Sequence, residues 1–303
     1  MSNLVISVII PTLNDPTIAG AVNSVLADAV DDPNVEIIVV GRDDESRVPR
    51  HSRVTFVPTV TRPLPGGTRN AGARRATGGA LVFLDSDCIV EPGWLAAHRA
   101  RLATEPCAVG GGVCFATVGF WATGDNVSLF HEFLADLPPR RRRFLPSLNF
   151  GIRREVWDAV GGFDPDLRSA EDLDLTARIT RAGFPLYFEP RAVARHLGGR
   201  RSASAVWRHF HTYGQNSIRV RRRYPDVFGR PLALRSATGL RLGAPLIAAA
   251  VTGRMLLAEP AARRYWWTAP VIWLSKLAWC YSAARGLTEN VSAAVGRADS
   301  VSN

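Results

Sequence analysis

The sequence predicts a doubly wound α/β fold, and three observations predict it. Short, mostly apolar runs recur at Val5–Ile10, Val35–Val40 and Ala80–Leu84, and the last, apolar throughout, has the pattern of a parallel strand covered on both faces. Between them lie segments with helical apolar spacing and short connections, the alternation expected of a layered α/β domain. The third run ends on two carboxylates, Asp85 and Asp87, at the carboxyl end of a strand, where open α/β sheets place their ligands.

Taken in order, Val5–Ile10 reads as the first strand, ended by Pro11. Residues 17–27 carry Ile18, Val22, Val25 and Leu26 at helical spacing, and Asp31, Asp32 and Pro33 break that helix. Val35–Val40 is a buried strand and Val54–Val57 a weaker one. Gly66–Gly79 reads as a glycine-rich turn into a short helix, followed by the strand Ala80–Leu84. The α/β layer covers at least the first 110 residues.

Beyond Val109 the order weakens. Gly110–Gly112 precedes a predicted strand, Val113–Val118, and residues 138–147 bracket four arginines with prolines, which predicts a mobile surface loop. Leu148–Ile152 is short and apolar, Arg154–Val160 helical, and Gly161–Pro165 a turn. A helix is expected from Ser169 to Gly183, and residues 203–223 form a basic amphipathic helix or helix pair. Leu242–Gly253 and residues 265–284 are nearly uncharged, and four of the eight tryptophans fall between 266 and 279. A membrane span needs about 20 apolar residues. The first run is too short and the second borderline, so an in-plane interfacial segment or a buried helical extension is expected.

The chain has 303 residues and 47% hydrophobic content, enough for a real core and for about two structural units. The net charge of +10 is nearly all arginine, which favours phosphate-bearing partners or an anionic membrane. Four cysteines without a CxxC pair read as reduced thiols. The N-terminal residues lack a signal-peptide pattern, so a cytoplasmic protein is expected, peripheral at the inner face of the plasma membrane if the tail docks there.

Two carboxylates on a tight turn suit a hard divalent cation, Mg²⁺ or Mn²⁺, with substrate phosphates completing its shell; an Asx turn explains the same residues without a metal. Ser169, Glu171, Asp172 and Asp174 resemble a capping box. That accounts for acids at a helix start, although three acids in four positions exceed what a cap needs, and one can serve as a general base. His196 follows a strand-like run, and Arg69, Asn70 and Gly72 form a turn at which a phosphate can approach. No Walker A or GxGxxG pattern follows the first strand, and neither arginine run shows a nucleic-acid module. No nucleic-acid partner is expected.

In this order the segments Val8–Asn14, Arg69–Ala73, Phe83–Asp87, Asn149–Arg154, Gly161–Asp164, Glu171–Leu175, Arg181–Gly183 and Ala192–His196 resemble a family 2 glycosyltransferase over roughly residues 4–225. The resemblance implies a GT-A fold, Rossmann-like with a mostly parallel central sheet flanked by helices, plus a C-terminal helical extension. It implies a metal-dependent, inverting transfer from a nucleotide-diphosphate sugar to an acceptor hydroxyl. Asp85 and Asp87 would match the DxD motif and hold Mg²⁺ or Mn²⁺ with His196. Asp172 would match the general base, with Glu171 orienting it. Pro11, Thr12, Asn14, Asp43, Asp44, Arg69, Asn70, Asp85 and Ser86 would line the donor site. Family members usually carry an Asp-Asp-Gly-Ser type sequence after the second strand; here Gly41-Arg42-Asp43-Asp44 displaces the acids by two positions. Residues 1–115 would bind donor, 116–200 carry base and acceptor contacts, and 201–303 form a basic, Trp-rich extension. The acceptor is expected to be an envelope glycan, glycolipid or natural product. A nucleotidyltransferase, or a non-catalytic module binding membranes or polyanions, are the alternative readings. The absence of a Gly-rich basic signature near Pro11–Asn14 counts against the former, and the acids at 85, 87, 171 and 172 count against the latter.

Overall fold

A computed structural model describes residues 4–59, 64–115, 119–229, 231 and 236–288. The first half alternates β1 (Ile6–Leu13), α1 (Ile18–Asp28), β2 (Val35–Arg42), β3 (Val54–Pro58), α2 (Pro65–Arg75), β4 (Ala80–Leu84), β5 (Cys88–Val90), α3 (Trp94–Leu102) and β6 (Ala108–Phe115). There follow α4 (Phe120–Phe130), β7 (Arg140–Arg141), β8 (Asn149–Arg153), α5 (Arg154–Val160), α6 (Glu171–Arg181) and β9 (Leu186–His196). The C-terminal part is helical: α7 (Ala203–Arg223), α8 (Pro225–Phe228), α9 (Ala237–Leu242), α10 (Ala244–Ala258), α11 (Pro260–Arg263) and α12 (Ala269–Thr288).

One sheet runs β3-β2-β1-β4-β8-β6-β9-β5, with β7 pairing β9. It is parallel from β3 to β4 and mixed beyond, because β8 enters antiparallel between β4 and β6. The apolar runs read from the sequence are its fully buried strands: Ile6, Val8, Ile9, Ile10 and all of β4 lie in one core. β1 continues past Pro11 to Leu13. The bonds Ile6 N–H to Asn34 O and Asn14 N–H to Arg42 O put even-numbered residues on the β2 ladder. Pro11 therefore faces the β4 side, where pairing ends at Ile9, and its missing N–H costs the sheet nothing.

Several expectations are corrected. The glycines at 66 and 72 lie inside α2, which starts at Pro65; a Cβ on Gly72 would stand 2.5 Å from Ile9 Cγ2, so glycine here lets the helix sit on the sheet. Gly110–Gly112 lie inside β6, which ends at Phe115, while 116–118 fall outside the described residues. The glycine at 111 makes room for the Asn149 amide, which a Cβ would overlap. The segment 138–147 is held rather than mobile. β7 pairs antiparallel with β9, Arg140 binds Glu259 at 2.6 Å, and the Arg142 guanidinium lies 5.2 Å from the Phe133 ring centroid. Finally, Ser169 does not cap α6. The residue before the helix is Ala170, at φ 64° in the left-handed region, and the Ser169 hydroxyl accepts from Asn216 instead.

Residues 203–223 form a single helix, α7, packed along α12. The uncharged run at 265–284 is mostly α12, which buries Val271, Ile272 and Ala278. Among the described residues no helix is long and apolar enough to cross a membrane.

Candidate active site

Three strand ends and one helix start meet at a cleft of about 620 Å³, within the usual range for ligand sites. β4 delivers Asp85, whose N–H donates to Leu148 O at 3.0 Å, and a turn closed by Cys88 N–H to Asp85 O carries the chain into β5. The β5–β9 ladder pairs Cys88 with His196, and Leu197 N–H donates to Asp87 O at 2.8 Å. The sheet register thus brings Asp87 and His196 together although they lie over a hundred residues apart. Their side chains face each other at 3.2 Å, Oδ2 to Nε2.

Asn126, on α4, decides what that pair presents. Its Nδ2 donates to Gly198 O at 3.1 Å, which fixes the amide orientation, so its Oδ1 must accept from His196 Nδ1 at 2.8 Å. In the neutral ring Nε2 then carries a lone pair aimed at the Asp87 carboxylate. Two acceptors at this distance are balanced only by positive charge between them, a proton or a metal ion. Gly198 leaves the space open: a Cβ there would overlap Asp87 Oδ2 and stand 2.9 Å from His196 Nε2. An oxygen and a nitrogen donor suit Mn²⁺ or Mg²⁺ whose other ligands are phosphate and water, so the residues present fit such an ion. Among the described residues no group of three His, Cys, Asp or Glu converges on one point, because Asp85 is turned elsewhere.

Asp85 Oδ1 accepts from Arg69 Nη2 at 2.6 Å, and Glu171 Oε1 accepts from Arg69 Nη1 at 3.0 Å. Arg69 is 5% exposed and lies 5.6 Å from the Phe163 ring centroid. Burial disfavours its charge, but the two carboxylates more than offset this and raise its pKa. The planar fork joins an acid at the end of β4 to one at the start of α6. Beside it, Asp172 sits half-buried in the cleft wall. Burial first, and the neighbouring Glu171 second, push its carboxyl up to about 7, against the pull of the Leu173 N–H, Arg69 and the Ser147 N–H. An acid that titrates near neutrality is a competent proton acceptor.

The far wall comes from α7. His209 and Tyr213 stack at 6.4 Å with planes 9° apart, next to Thr212 and the arginines Arg168 and Arg200. Arg200 is held by buried Asp125 at 3.2 Å. Burial, and then the charge of Arg200, push His209 down to about 3, so at neutral pH it is an uncharged ring.

Six of the expected site residues therefore line one cleft: Arg69, Asp85, Asp87, Glu171, Asp172 and His196. The remainder lie outside that lining. At the carboxyl ends of β1 and β2, Thr12 is buried, and Asn14 and Asp44 exchange two hydrogen bonds of 2.7 and 2.8 Å. Asp43 accepts from the Arg47 and Val48 N–H groups, so its carboxylate shapes its own loop. Pro11 is half-buried in β1. Ser86 donates to Asp15 at 2.7 Å, and Asn70 exchanges two bonds with the Phe163 backbone. Both are struts of the site's framework. Asn126, Asp15, Arg200 and the α7 ring pair were not singled out in the sequence. The four-residue spacing of His209 and Tyr213 on a basic helix was the available signal for the last.

The family model for glycosyl transferase family 2 matches residues 7–161. The pre-mycofactocin glycosyltransferase of Mycobacterium tuberculosis is 27% identical over 210 residues, 63% of this chain and 44% of that protein. Glycosyltransferase AglE of Haloferax volcanii is 26% identical over 201 residues, 63% of this chain and 66% of that protein. The chain thus spans less than two thirds of the length of these relatives. Among solved structures, a mannosyltransferase from Pyrobaculum calidifontis in complex with GDP-Man and Mn²⁺ aligns with a TM-score of 0.62 at 18% identity, covering 94% of this chain and 87% of that one. GalNAc-T7 with UDP, GalNAc and Mn²⁺ aligns at 0.56 and 20% identity, covering 74% and 49%. These likenesses establish the GT-A fold with added C-terminal helices. With just over half of its length, residues 7–161 of 303, matched to that family, the chain belongs to glycosyl transferase family 2.

Proposed function

We propose that this chain transfers a sugar from a nucleotide-diphosphate donor to an acceptor hydroxyl, with inversion at the anomeric carbon. The carrying observation is the Arg69 fork, which joins Asp85 to Glu171 and so sets the proton acceptor Asp172 at a fixed place relative to the Asp87–His196 pair. The nucleotide sugars and Mn²⁺ named with the two structural neighbours support the donor class.

Asp87 and His196 would hold the divalent ion, with Asp85 supporting them through Arg69. Such an ion supplies positive charge that stabilises a diphosphate leaving group. Asp172, as the carboxylate, accepts the proton of the acceptor hydroxyl, whose oxygen attacks from the face opposite the nucleotide. Glu171 keeps Asp172 basic by charge repulsion and keeps Arg69 in place. Thr12, Asn14 and Asp44 form the nucleoside end of the donor site. The stacked His209–Tyr213 pair and Arg168 offer an aromatic face and a cation to the acceptor, a combination suited to an anionic glycan or a lipid-linked one. In this reading residues 1–115 bind donor, 116–200 carry the base, and α7 of the 201–303 extension completes the acceptor wall.

Asp172→Asn tests it. The variant is expected to lower kcat/KM by about 10²- to 10⁴-fold, the usual worth of a general base. Its thermal shift with UDP or GDP plus Mn²⁺ should stay at the wild-type value. A variant that retained full turnover would remove Asp172 as the base.

A further inference from the structure

α10 has two apolar faces, and one of them is covered. Its sequence, APLIAAAVTGRMLLA, carries a single charge, Arg254. Ala244, Ala248, Thr252 and Met255, spaced four, four and three apart, are buried, and the helix packs on α12. The opposite stripe runs from Leu242 through Leu246, Ala250 and Gly253 to Leu257, again at helical spacing. Among the described residues its large members are bare: Leu242 is 80% exposed, Leu246 78% and Leu257 69%. A helix apolar on all sides is ordinarily enclosed, and contiguous exposed leucines mark a binding surface.

The surrounding charge identifies the occupant. Between residues 237 and 266 stand Arg241, Arg254, Arg263 and Arg264 against one acid, Glu259, which is already bound to Arg140. Arg264 pairs with Asp136, whereas Arg241 and Arg254 have no partner among the described residues. Arg263 donates to Leu257 O at 2.8 Å, which places a cation at the end of the leucine stripe. Trp266, 72% exposed, follows, and Trp273 donates to Pro245 O at the other end. Leucines flanked by arginine and tryptophan match an interface of acyl chains below phosphate headgroups. A second copy meeting this face with its own would bring the same arginines, and the one acid of the stretch, Glu259, is already bound to Arg140. At 1.5 Å per residue α10 is about 22 Å long, short of the roughly 30 Å hydrocarbon layer, so it would lie in the plane.

We propose that this face, Leu242–Leu257 with its arginine rim, docks the protein on an anionic lipid membrane. The inference goes beyond the transfer reaction and does not depend on it. The test is flotation of the full chain with vesicles of phosphatidylcholine alone or mixed with phosphatidylglycerol. Binding is expected to the mixed vesicles only, and to weaken with added salt. Leu246→Glu with Leu257→Glu, both exposed and so compatible with folding, should lower partitioning at least tenfold. Arg241→Gln with Arg254→Gln should lower it roughly tenfold. An unchanged circular dichroism spectrum establishes that both pairs are folded. Three results would overturn the proposal: no vesicle binding by the wild type, equal binding to phosphatidylcholine alone, or equal binding by the leucine pair. Light scattering supplies a fourth, a dimer that the leucine pair dissolves while vesicles are ignored.

Discussion

At the scale of single residues, Asn126 shows how one amide decides the chemistry of its neighbours. It touches no donor or acceptor in the proposed reaction, yet by accepting from His196 Nδ1 it assigns Nε2 to face Asp87. Outer partners of this kind are commonly worth 10- to 100-fold in metal affinity. In a long-range ¹H–¹⁵N spectrum the His196 ring is expected to carry its proton on Nδ1. Asn126→Leu should weaken Mn²⁺ binding, read by electron paramagnetic resonance in the presence of nucleotide, by that factor, and Asn126→Asp should recover part of it. Unchanged affinity in the leucine variant would reduce Asn126 to a packing residue of α4. Nothing in the sequence marks this residue, because its importance comes from β9 arriving beside α4 across 70 positions. Asp85 and Asp87 could be placed from the sequence because the short apolar run of β4 leads straight into them, whereas His196 closes β9, a long strand that mixes apolar residues with two arginines and a glutamate.

At the scale of elements, Asn149 opens β8 in a segment whose composition reads simply as apolar. It ties four pieces together. Its Oδ1 accepts from Trp94 and His98, both at 2.9 Å, and its Nδ2 donates to Gly112 O and Ala192 O at 3.0 and 2.8 Å. α3, β6 and β9 are thereby pinned to β8 inside the core. Burial pushes His98 down to about 4, so the ring is neutral and the hub carries no charge. Asn149→Leu has nearly the same volume but strands two donors and two carbonyls in an apolar interior. We expect a loss of about 2–5 kcal/mol in a denaturant titration with the m-value unchanged; a loss under 1 kcal/mol would mean that water replaces the amide. The same scale explains the sequence errors. A capping box was expected at Ser169 from spacing alone, but a cap requires extended backbone at the capping residue. The structure places left-handed Ala170 there and commits the Ser169 hydroxyl to Asn216 on α7. The arginines of 138–147 looked like a solvated loop because Glu259, the partner of Arg140, lies 119 residues further along the chain.

At the scale of the whole molecule, the raised Asp172 carboxyl sets stability against readiness for catalysis. In the unfolded chain an aspartate titrates near its ordinary value of 3.8, and in the fold Asp172 titrates near 7. Between those values the native state holds the extra proton, so stability from this group is fully present below about 4 and is lost as pH rises through about 7. The difference in melting temperature between wild type and Asp172→Asn should therefore move in favour of the variant from pH 4 to pH 8, while kcat/KM of the wild type climbs over the upper part of that range. A difference that stayed flat with pH would place the titration elsewhere. Much of the architecture was readable in advance, since strands buried on both faces leave runs as apolar as VISVII, VEIIVV and ALVFL. The mixed half of the sheet was less readable, because β7 and β8 are short and their pairing is decided by neighbours far along the chain.

The Arg69 fork joins Asp85 at the end of β4 to Glu171 at the start of α6, whereas α7 meets that frame through side chains such as Asn216 on Ser169. In the proposed reaction, chemistry therefore rests on that frame and acceptor recognition on α7. If α7 reads the acceptor as proposed, substitutions at His209 and Thr212 would retune what is glycosylated, whereas a change at Tyr213, which packs on the Ala170, Leu173 and Ala177 cluster, would reach the helix that carries Asp172.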